Sequence, residues 1–442
     1  MTVYRKSEER RDKPAFALRK GRPFSQRAAG QAVDRASHDQ RRPPCPHYPA
    51  CYSCPFVRFP YAQQLDKKRE IVVQALAPYP ALAALTIPPL VPSPHQFGYR
   101  VRVKLAVRRS RGKVLIGVYI PETHKVADVS GCAVHPEPIN RIVQFLKQAV
   151  EQLGILPYDE RQDIGQLRYI DARYSLWQRR VLLTLVTRHM DFPQARELTH
   201  ELTRRFPSLS GIVQNINDKP GNVIWGERFR PLWGRDSLLE RIGHLHLRIP
   251  VNAFEQANPP VARRLYERVL EWAGLNGEEI ALDLYCGIGP IALYLTSKAK
   301  LVVGIDDNES AINVAKENAR RNGYHNSRFF AGDAAEKLKE MGATLARIDL
   351  VVVNPPRKGL SPEAFAALAT VKAPKLLYVS CDPLTLARDL DRFSQERYVT
   401  HRVQSFDMIP QTDQVETVAL LERQQEIPTV GEIGRRALGV KS

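Results

Sequence analysis

Four cysteines in the first third of the chain have a spacing typical of a metal or cluster site. Cys45, Cys51 and Cys54 form a Cys-x5-Cys-x2-Cys string, and Cys132 follows later in the chain. Four thiolates can hold either a structural zinc ion or a [4Fe-4S] cluster, and the spacing leaves both open. His47, inside the string, is a further candidate zinc ligand. The alternative is four buried thiols that share no ligand.

Two more side chains that could do chemistry lie near the end of the chain. Cys381 stands in the string YVSCDPLTLARD (378–389), directly after an apolar run, and Glu416 ends the string DMIPQTDQVE (407–416). Residue types alone leave Cys381 as either a reactive or a buried thiol. They leave Glu416 as either a functional or an exposed carboxylate.

A glycine-rich turn predicts a cofactor site. The string ALDLYCGIG (281–289) runs from an apolar strand through the turn into a helix, and glycine lets a ligand approach the backbone closely. Asp306 ends the next predicted strand, where a carboxylate can accept hydrogen bonds from ribose hydroxyls. The turn resembles motif I of class I S-adenosylmethionine-dependent methyltransferases. Ala292 stands where a dinucleotide site would have its third glycine, which disfavours a dinucleotide; a turn that binds nothing is the remaining alternative.

A proline-rich string, VNPPRKGL (353–360), follows another apolar strand. Its prolines fix the backbone beyond the carboxyl end of that strand, where open α/β sheets bind ligands. Asn354 offers both a donor and an acceptor to a planar heterocycle. This Asn-Pro-Pro string resembles those of enzymes that methylate exocyclic amines. The string therefore predicts a methyltransferase without specifying the methylated atom.

The elements that carry these residues alternate between strand and helix after residue 236. This rhythm predicts an α/β fold with a doubly wound, mainly parallel, Rossmann-like sheet. The predicted elements span 281–284, 291–295, 301–305, 311–322, 350–353, 362–370, 375–379 and 383–393.

The chain before residue 236 has a different character. Residues 1–44 are polar and basic and predict a disordered arm, while 45–96 hold the clustered cysteines, a helix at 63–76 and a Pro-rich connector. Residues 97–235 predict a central β-rich domain with strands at 99–105 and 182–186 and a helix at 140–153. One face of the 99–105 strand presents Arg100, Arg102 and Lys104, which are candidate phosphate contacts. Residues 236–442 form the predicted α/β domain.

Composition favours a folded, nucleic-acid-binding protein. The 442 residues include 65 Lys and Arg against 47 Asp and Glu, a net charge of +18 that points to a polyanionic partner. A hydrophobic content of 43% excludes a wholly disordered or fibrous chain. The uncharged stretch 71–99 holds six prolines, which argue against a membrane span. We predict a cytoplasmic protein without a secretory signal.

Taken together, these strings resemble the RNA uracil-C5 methyltransferase family, which makes 5-methyluridine. The likeness runs from Cys45 to about Glu422 and includes NAFEQAN (252–258), which is similar to the family's Phe-x-Gln-x-Asn element. The resemblance implies a class I methyltransferase domain beside a central RNA-binding domain, with S-adenosylmethionine as methyl donor and RNA as partner.

The resemblance also assigns roles. Cys381 matches the family's nucleophile, which adds to C6 of uracil so that C5 can accept the methyl group, and Glu416 matches the base that removes the C5 proton. Arg357 or Arg388 could favour the Cys381 thiolate. The positions that match the cofactor site are Gln256, Tyr285, Asp306 and Asn354, with Asp333 expected near the adenine.

The resemblance further implies that Cys45, Cys51, Cys54 and Cys132 carry a [4Fe-4S] cluster. The cysteines, together with only a basic arm before Cys45 in place of an OB-like module, resemble the 23S rRNA branch of the family. Transfer RNA remains an alternative substrate, and a monomer is expected. Two residues depart from the family: Asp306 replaces the usual Glu, and Glu255 stands where an aromatic residue is frequent.

Two other functions remain open at this stage. An exocyclic-amine methyltransferase would use the Asn354 string but would not need Cys381. An iron–sulfur RNA-binding protein or chaperone would bind RNA without transferring a methyl group.

Overall fold

Two seven-stranded sheets and a short hairpin between them carry the fold, which we describe from a computed structural model. The structure describes residues 45–221, 223–344 and 347–424. The predicted basic arm, residues 1–44, lies outside the described residues. Within the described part, no helix is both long and apolar enough to cross a membrane.

The cysteine segment leads into two helices, α1 (Tyr61–Leu76) and α2 (Pro80–Ala83), and then into the Pro-rich connector. Helix α1 begins two residues before its predicted start. The connector runs beside the end of the second sheet, since Val91 N donates to Ser405 O at 2.9 Å and Asp407 N donates to Val91 O at 2.9 Å. The uncharged stretch thus packs along a sheet edge.

A buried ion pair fixes α1 to the segment that precedes Glu416. Lys68 Nζ lies 2.5 Å from Asp407 Oδ1, and neither side chain is exposed to solvent. Lys68 also donates to Ile409 O at 2.9 Å, and Tyr61 donates its hydroxyl to Asp407 Oδ2 at 2.7 Å. Both carboxylate oxygens of Asp407 are therefore satisfied, as a buried charge requires.

The first sheet and its helices are built from β1 (Arg102–Ser110), β2 (Lys113–Tyr119), β3 (Val126–Asp128), α3 (Glu137–Gln152), β4 (Leu167–Ser175), β5 (Arg180–Thr187), α4 (Ala195–Arg205), β6 (Leu209–Ile216) and β7 (Arg228–Gly234). The strand order is β3-β2-β1-β4-β5-β6-β7, and the sheet is mostly antiparallel. Helices α3 and α4 share one apolar core with this sheet. The predicted strand 99–105 begins later and extends further than expected.

The hairpin of β8 (Ser237–Ile242) and β9 (Leu245–Pro250) leads into α5 (Pro259–Ala273) and the second sheet. The elements of that sheet and its helices are β10 (Ile280–Leu284), α6 (Pro290–Thr296), β11 (Leu301–Asp306), α7 (Glu309–Arg321), β12 (Ser327–Ala331), α8 (Ala334–Thr344), β13 (Leu350–Val353), α9 (Pro362–Val371), β14 (Lys375–Ser380), α10 (Pro383–Gln395), β15 (Tyr398–Phe406) and β16 (Glu416–Arg423). The strand order is β12-β11-β10-β13-β14-β16-β15, and the first five strands in this order are parallel.

The predicted doubly wound α/β fold is confirmed. Two apolar cores cover opposite faces of the second sheet, which is why its parallel strands read as continuous apolar runs. Proline at the first position of α6, α9 and α10 suits a helix start, and Asn308, Ser361 and Asp382 cap α7, α9 and α10 with side-chain oxygens. Each of these helices follows the carboxyl end of a parallel strand, so their starts lie at the same edge of the sheet.

Candidate active site

The carboxyl ends of five parallel strands bring most of the predicted site residues to one edge. Asp333 follows β12, Asp306 ends β11, Tyr285 follows β10, Asn354 follows β13 and Cys381 follows β14. These strands are neighbours in that order, so the five residues lie along one line. The chain reverses its winding direction between β10 and β13, which opens a crevice there for a ligand.

The glycine turn after β10 is built to leave room for a ligand. Tyr285 has a φ of 62°, a left-handed conformation that is strained for a tyrosine and typical of functional turns. A Cβ on Gly287 would meet nothing within 4 Å, so space lies open beside the backbone there. Gly289, in contrast, packs closely: a Cβ there would lie 3.2 Å from atoms of Ala315 and Phe329.

Asp306 ties this turn to β11. Its Oδ2 accepts a hydrogen bond from Gly287 N at 2.8 Å, and its Oδ1 accepts one from Asn308 N at 3.0 Å. Burial raises the pKa of this carboxyl, while the two backbone bonds act against that shift. Each carboxylate oxygen retains a second lone pair, so the residue can still accept from a ribose hydroxyl.

Asp333 and Asn354 flank the turn on either side. Asp333 Oδ1 caps α8 by accepting from Ala335 N at 2.8 Å, and the side chain remains exposed. Burial, with the nearby charge of Asp333, raises the pKa of Tyr285 to about 12, which keeps this phenol neutral. Asn354 N donates to Leu284 O at 3.2 Å, and this bond places the backbone of Asn354 at the crevice between β10 and β13.

Cys381 and Glu416 meet at the far end of this edge. Glu416 begins β16, which pairs antiparallel with β14 so that Ser380 lies opposite Thr417. Glu416 is buried, and Gln256 forms a hydrogen bond with its side chain. Burial raises the pKa of Glu416 to about 7, although Gln256 and the charge of Arg357 act in the opposite direction. A carboxyl with this pKa can accept a proton near neutral pH.

Arg357 is the arginine that contacts the thiol. Burial and the charge of Glu416 raise the pKa of Cys381, while the charge of Arg357 and its hydrogen bond to the sulfur lower it. Arg388 instead pairs with Asp389 at 2.8 Å and donates to Lys358 O at 3.0 Å. The sequence did not decide which of the two arginines favours the Cys381 thiolate. In the structure, Arg357 is the one of the two that lies at Cys381.

Asp389, which was not among the predicted site residues, holds the loop that carries Arg357. Its Oδ2 accepts from Leu360 N at 2.9 Å and from the Tyr378 hydroxyl at 2.7 Å, and the side chain is fully buried. A Cβ on Gly359 would lie 2.5 Å from this carboxylate, so glycine is required there. The sequence signal that could have identified Asp389 was the presence of a charged residue on the buried side of the predicted helix 383–393.

The four predicted ligand cysteines line one cavity of about 110 Å³, together with His47 and Arg100. All four are free thiols. Burial, followed by the charges of the other cysteines, raises the pKa of Cys54 to about 12, so the thiols are close enough to influence one another. Within residues 45–221, 223–344 and 347–424, no group of three His, Cys, Asp or Glu side chains forms a site for a single metal ion.

Of the predicted phosphate contacts, Arg102 points inward. Its guanidinium pairs with Asp171 at 3.0 Å and its side chain is 10% exposed, so it is not available to RNA. Lys104 is exposed, with Nζ 5.2 Å from the Trp225 ring centre. Arg100 is half-buried beside the cysteine cavity.

Comparisons with known proteins agree with this geometry. Residues 235–424 match the family described as tRNA (Uracil-5-)-methyltransferase. A protein of Geobacter sulfurreducens named as an uncharacterized RNA methyltransferase is 39% identical, and the alignment covers 86% of this chain and 77% of that protein. One from Halalkalibacterium halodurans, named in the same way, is 35% identical over 88% of this chain and 84% of its own length.

A solved structure extends the likeness to the fold. The Pyrococcus abyssi tRNA (uracil-54, C5)-methyltransferase, in complex with S-adenosyl-L-homocysteine, has a TM-score of 0.70 and 30% identity, and the match covers 84% of each chain. The fold and its carboxyl edge define an S-adenosylmethionine-dependent methyltransferase with a Rossmann-like sheet. Within that class, the chain belongs to the RNA uracil-C5 methyltransferase family, which confirms the family predicted from the sequence.

Replacement of Arg357 tests its effect on the thiol. Because a neighbouring cation favours the thiolate, we expect Arg357→Met to slow alkylation of Cys381 by iodoacetamide at pH 8 by about tenfold. Mass spectrometry of the peptide that contains Cys381 reports this site apart from the other cysteines. Lys358→Met removes the adjacent exposed charge and is the matched control. Equal rates in the two variants would contradict the role of Arg357.

The buried carboxyl of Glu416 predicts a pH-dependent stability. Its pKa is about 7 in the folded protein against 4.5 ordinarily, so the unfolded chain loses this proton first as pH rises. The contribution of Glu416 to the free energy of unfolding therefore falls between pH 4.5 and 7. We expect the melting temperature of Glu416→Gln, relative to wild type, to be higher at pH 8 than at pH 5. A constant difference between the two proteins across this range would argue against the raised pKa.

Proposed function

We propose that this protein transfers a methyl group from S-adenosylmethionine to C5 of a uridine in 23S rRNA, with Cys381 as nucleophile and Glu416 as base. The observation that carries the proposal is the adjacency of this thiol and this buried carboxylate at the carboxyl edge, with Arg357 and Gln256 beside them. An exocyclic amine can attack a methyl sulfonium directly and needs neither group. The pair therefore favours chemistry at a carbon.

The proposed steps use these residues in order. The Cys381 thiolate forms a bond from Sγ to C6 of uracil, and the electron pair of the C5–C6 double bond makes C5 nucleophilic. When bound, S-adenosylmethionine supplies the methyl group to C5 and leaves as S-adenosylhomocysteine. Glu416 then removes the C5 proton, the C5–C6 double bond re-forms, and the Sγ–C6 bond breaks. Arg357 balances the negative charge of the thiolate before the attack.

The residues along the remainder of the edge suit the methyl donor. We assign Asp306 to the ribose hydroxyls and Asp333 to the adenine, with Tyr285 and Asn354 lining the crevice beside the glycine turn. Gln256 completes the donor site from the loop before α5 and also contacts Glu416. The open space at Gly287 supports this placement.

We further assign a [4Fe-4S] cluster to Cys45, Cys51, Cys54 and Cys132. Four free thiols around one cavity supply the donor set that such a cluster takes. The cavity also reaches Thr412, in the segment that leads to Glu416, so the cluster would brace the fold near the active site. No redox step is needed for methyl transfer.

RNA contact is assigned to the central segment 97–235 and to the cysteine segment. Lys104 beside Trp225 and the exposed Tyr52 offer a cation and a stacking surface. The target base must be unpaired or flipped from its stack to reach Cys381. Transfer RNA is the second candidate substrate, because the Pyrococcus abyssi enzyme of similar fold is named for a tRNA uracil.

A methyl-transfer assay tests the reaction and the RNA class together. Wild type and Cys381→Ala are incubated with S-adenosylmethionine and with separate unmodified rRNA and tRNA pools, and the nucleosides are analysed by mass spectrometry. We expect 5-methyluridine in the rRNA pool with wild type and none with the variant. Product in the tRNA pool alone would reassign the substrate. A methylated amine that survives Cys381→Ala would refute the proposed chemistry.

Iron analysis tests the cluster. We expect protein purified without oxygen to hold iron and acid-labile sulfide in equal amounts, about four of each per chain, and Cys54→Ser to lose both. Cys286→Ser is the control, because that buried thiol lies outside the cavity and its loss leaves the iron content unchanged. Zinc in place of iron and sulfide would overturn the assignment.

A further inference from the structure

The first sheet holds the backbone of the loop that carries Gln256, while Ala253 of the same loop packs in the core of the methyltransferase sheet. Arg102 in β1 donates from Nη1 to Ala253 O at 2.6 Å and from Nη2 to Val251 O at 3.1 Å. A carbonyl that accepts a charged donor in a buried place is fixed more firmly than one bonded to a neutral group.

A second arginine, Arg173 in β4, holds the same loop. It donates from Nη1 to Pro250 O at 2.8 Å and from Nη2 to Ala253 O at 2.8 Å, so Ala253 accepts from both arginines. Arg173 also pairs with Glu255, with Nε 3.4 Å from Oε2, and the side chains are 2% and 4% exposed. One guanidinium thus donates to two backbone carbonyls and forms a buried ion pair, without a hydrogen bond between Nε and Oε2, with a carboxylate of the same short segment.

The direction of Glu255 sets the direction of its neighbours. Glu255 points into the protein toward Arg173, whereas Phe254 is 72% exposed and Gln256 reaches Glu416. A rotation of the segment that released Glu255 would also withdraw Gln256 from the carboxylate. Glu255, which stands where the family often has an aromatic residue, therefore adds a side-chain ion pair to the backbone contacts that anchor this segment.

We propose that Arg173 and Glu255 are positioning residues that hold Gln256 against Glu416 and so make removal of the C5 proton depend on the first sheet. The inference rests on the proposed function of Glu416 as base. It places the effect on the base and not on the thiol, because the hydrogen bonds and ion pairs of Arg173 and Glu255 go to residues outside the described loops that carry Cys381 and Arg357.

This difference gives a specific signature. If the base is misplaced while the thiol is intact, the Sγ–C6 bond still forms and the methyl group is still transferred, but loss of the proton is slow. The covalent protein–RNA adduct then accumulates. A variant that merely loosens the fold lowers the amount of active protein and leaves the adduct fraction of the remainder unchanged.

The experiment compares Glu255→Gln, Arg173→Met and the double variant with wild type. The measurements are kcat, KM for S-adenosylmethionine, melting temperature and the fraction of RNA bound to protein on a denaturing gel. We expect each single variant to lose about tenfold in kcat and to raise the adduct fraction, with a higher KM for S-adenosylmethionine because Gln256 also lines the donor site. Each also leaves one charge buried without its partner, which lowers the melting temperature.

The double variant separates stability from positioning. When both charges are removed, neither is left buried without a partner. We therefore expect the melting temperature to return toward that of wild type. The rate and the adduct fraction stay at the values of the single variants, because Gln256 is still not held. Full recovery of kcat in the double variant would overturn the proposal.

Arg168→Met is the matched control. Arg168 lies in the same strand, β4, is 1% exposed and donates to the carbonyls of Asn217, Lys219 and Gly221, away from the Gln256 loop. We expect it to lower the melting temperature and leave the adduct fraction unchanged. An equal rise in adduct with Arg168→Met, or wild-type behaviour of Glu255→Gln, overturns this inference alone. A wild type that forms neither 5-methyluridine nor adduct overturns the proposed function as well.

Discussion

The antiparallel pairing of β16 with β14 is the constraint on which the active site depends. Parallel strands deliver their carboxyl ends to one edge, and β14 brings Cys381 there. Only an antiparallel neighbour can begin at that edge, and β16 begins with Glu416. A parallel β16 of six or more residues would start about 20 Å away. One reversed strand in an otherwise parallel sheet therefore allows residues 381 and 416 to act on the same ring.

Electrostatics explains why Arg357 accompanies this pair. A thiolate and a carboxylate placed together repel each other, and burial strengthens the repulsion. Arg357 lowers the pKa of both Cys381 and Glu416, so one cation favours the reactive form of each. The position of that cation depends in turn on buried Asp389 and on the close approach at Gly359. The chemistry thus rests on a layer of residues that never contact the substrate.

The local sequence pattern was sufficient to predict a strand wherever burial on both of its faces produced a continuous apolar run, as in β10 and β13. It was also sufficient for residues at strand ends, because the direction of each strand fixes the edge that Asp306 and Asn354 reach. It failed for Arg102, since alternation shows which residues share a face but not whether that face is covered. It could not reveal the Arg173–Glu255 or Lys68–Asp407 pairs, whose partners are distant in the chain and meet only after folding.

Residues of α1 bind residues that lie far along the chain, and this separation affects the order in which the protein folds during its synthesis. Lys68 and Asp407 are 339 positions apart, and Gln64 and Gln411, which share a buried hydrogen bond of 2.9 Å, are 347 apart. On the ribosome, the cysteines emerge long before Thr412, which lines their cavity. The cavity walls therefore close only after the segment that contains Thr412 has been synthesised. Any group that enters the cavity must either wait on a partly folded chain or arrive after release.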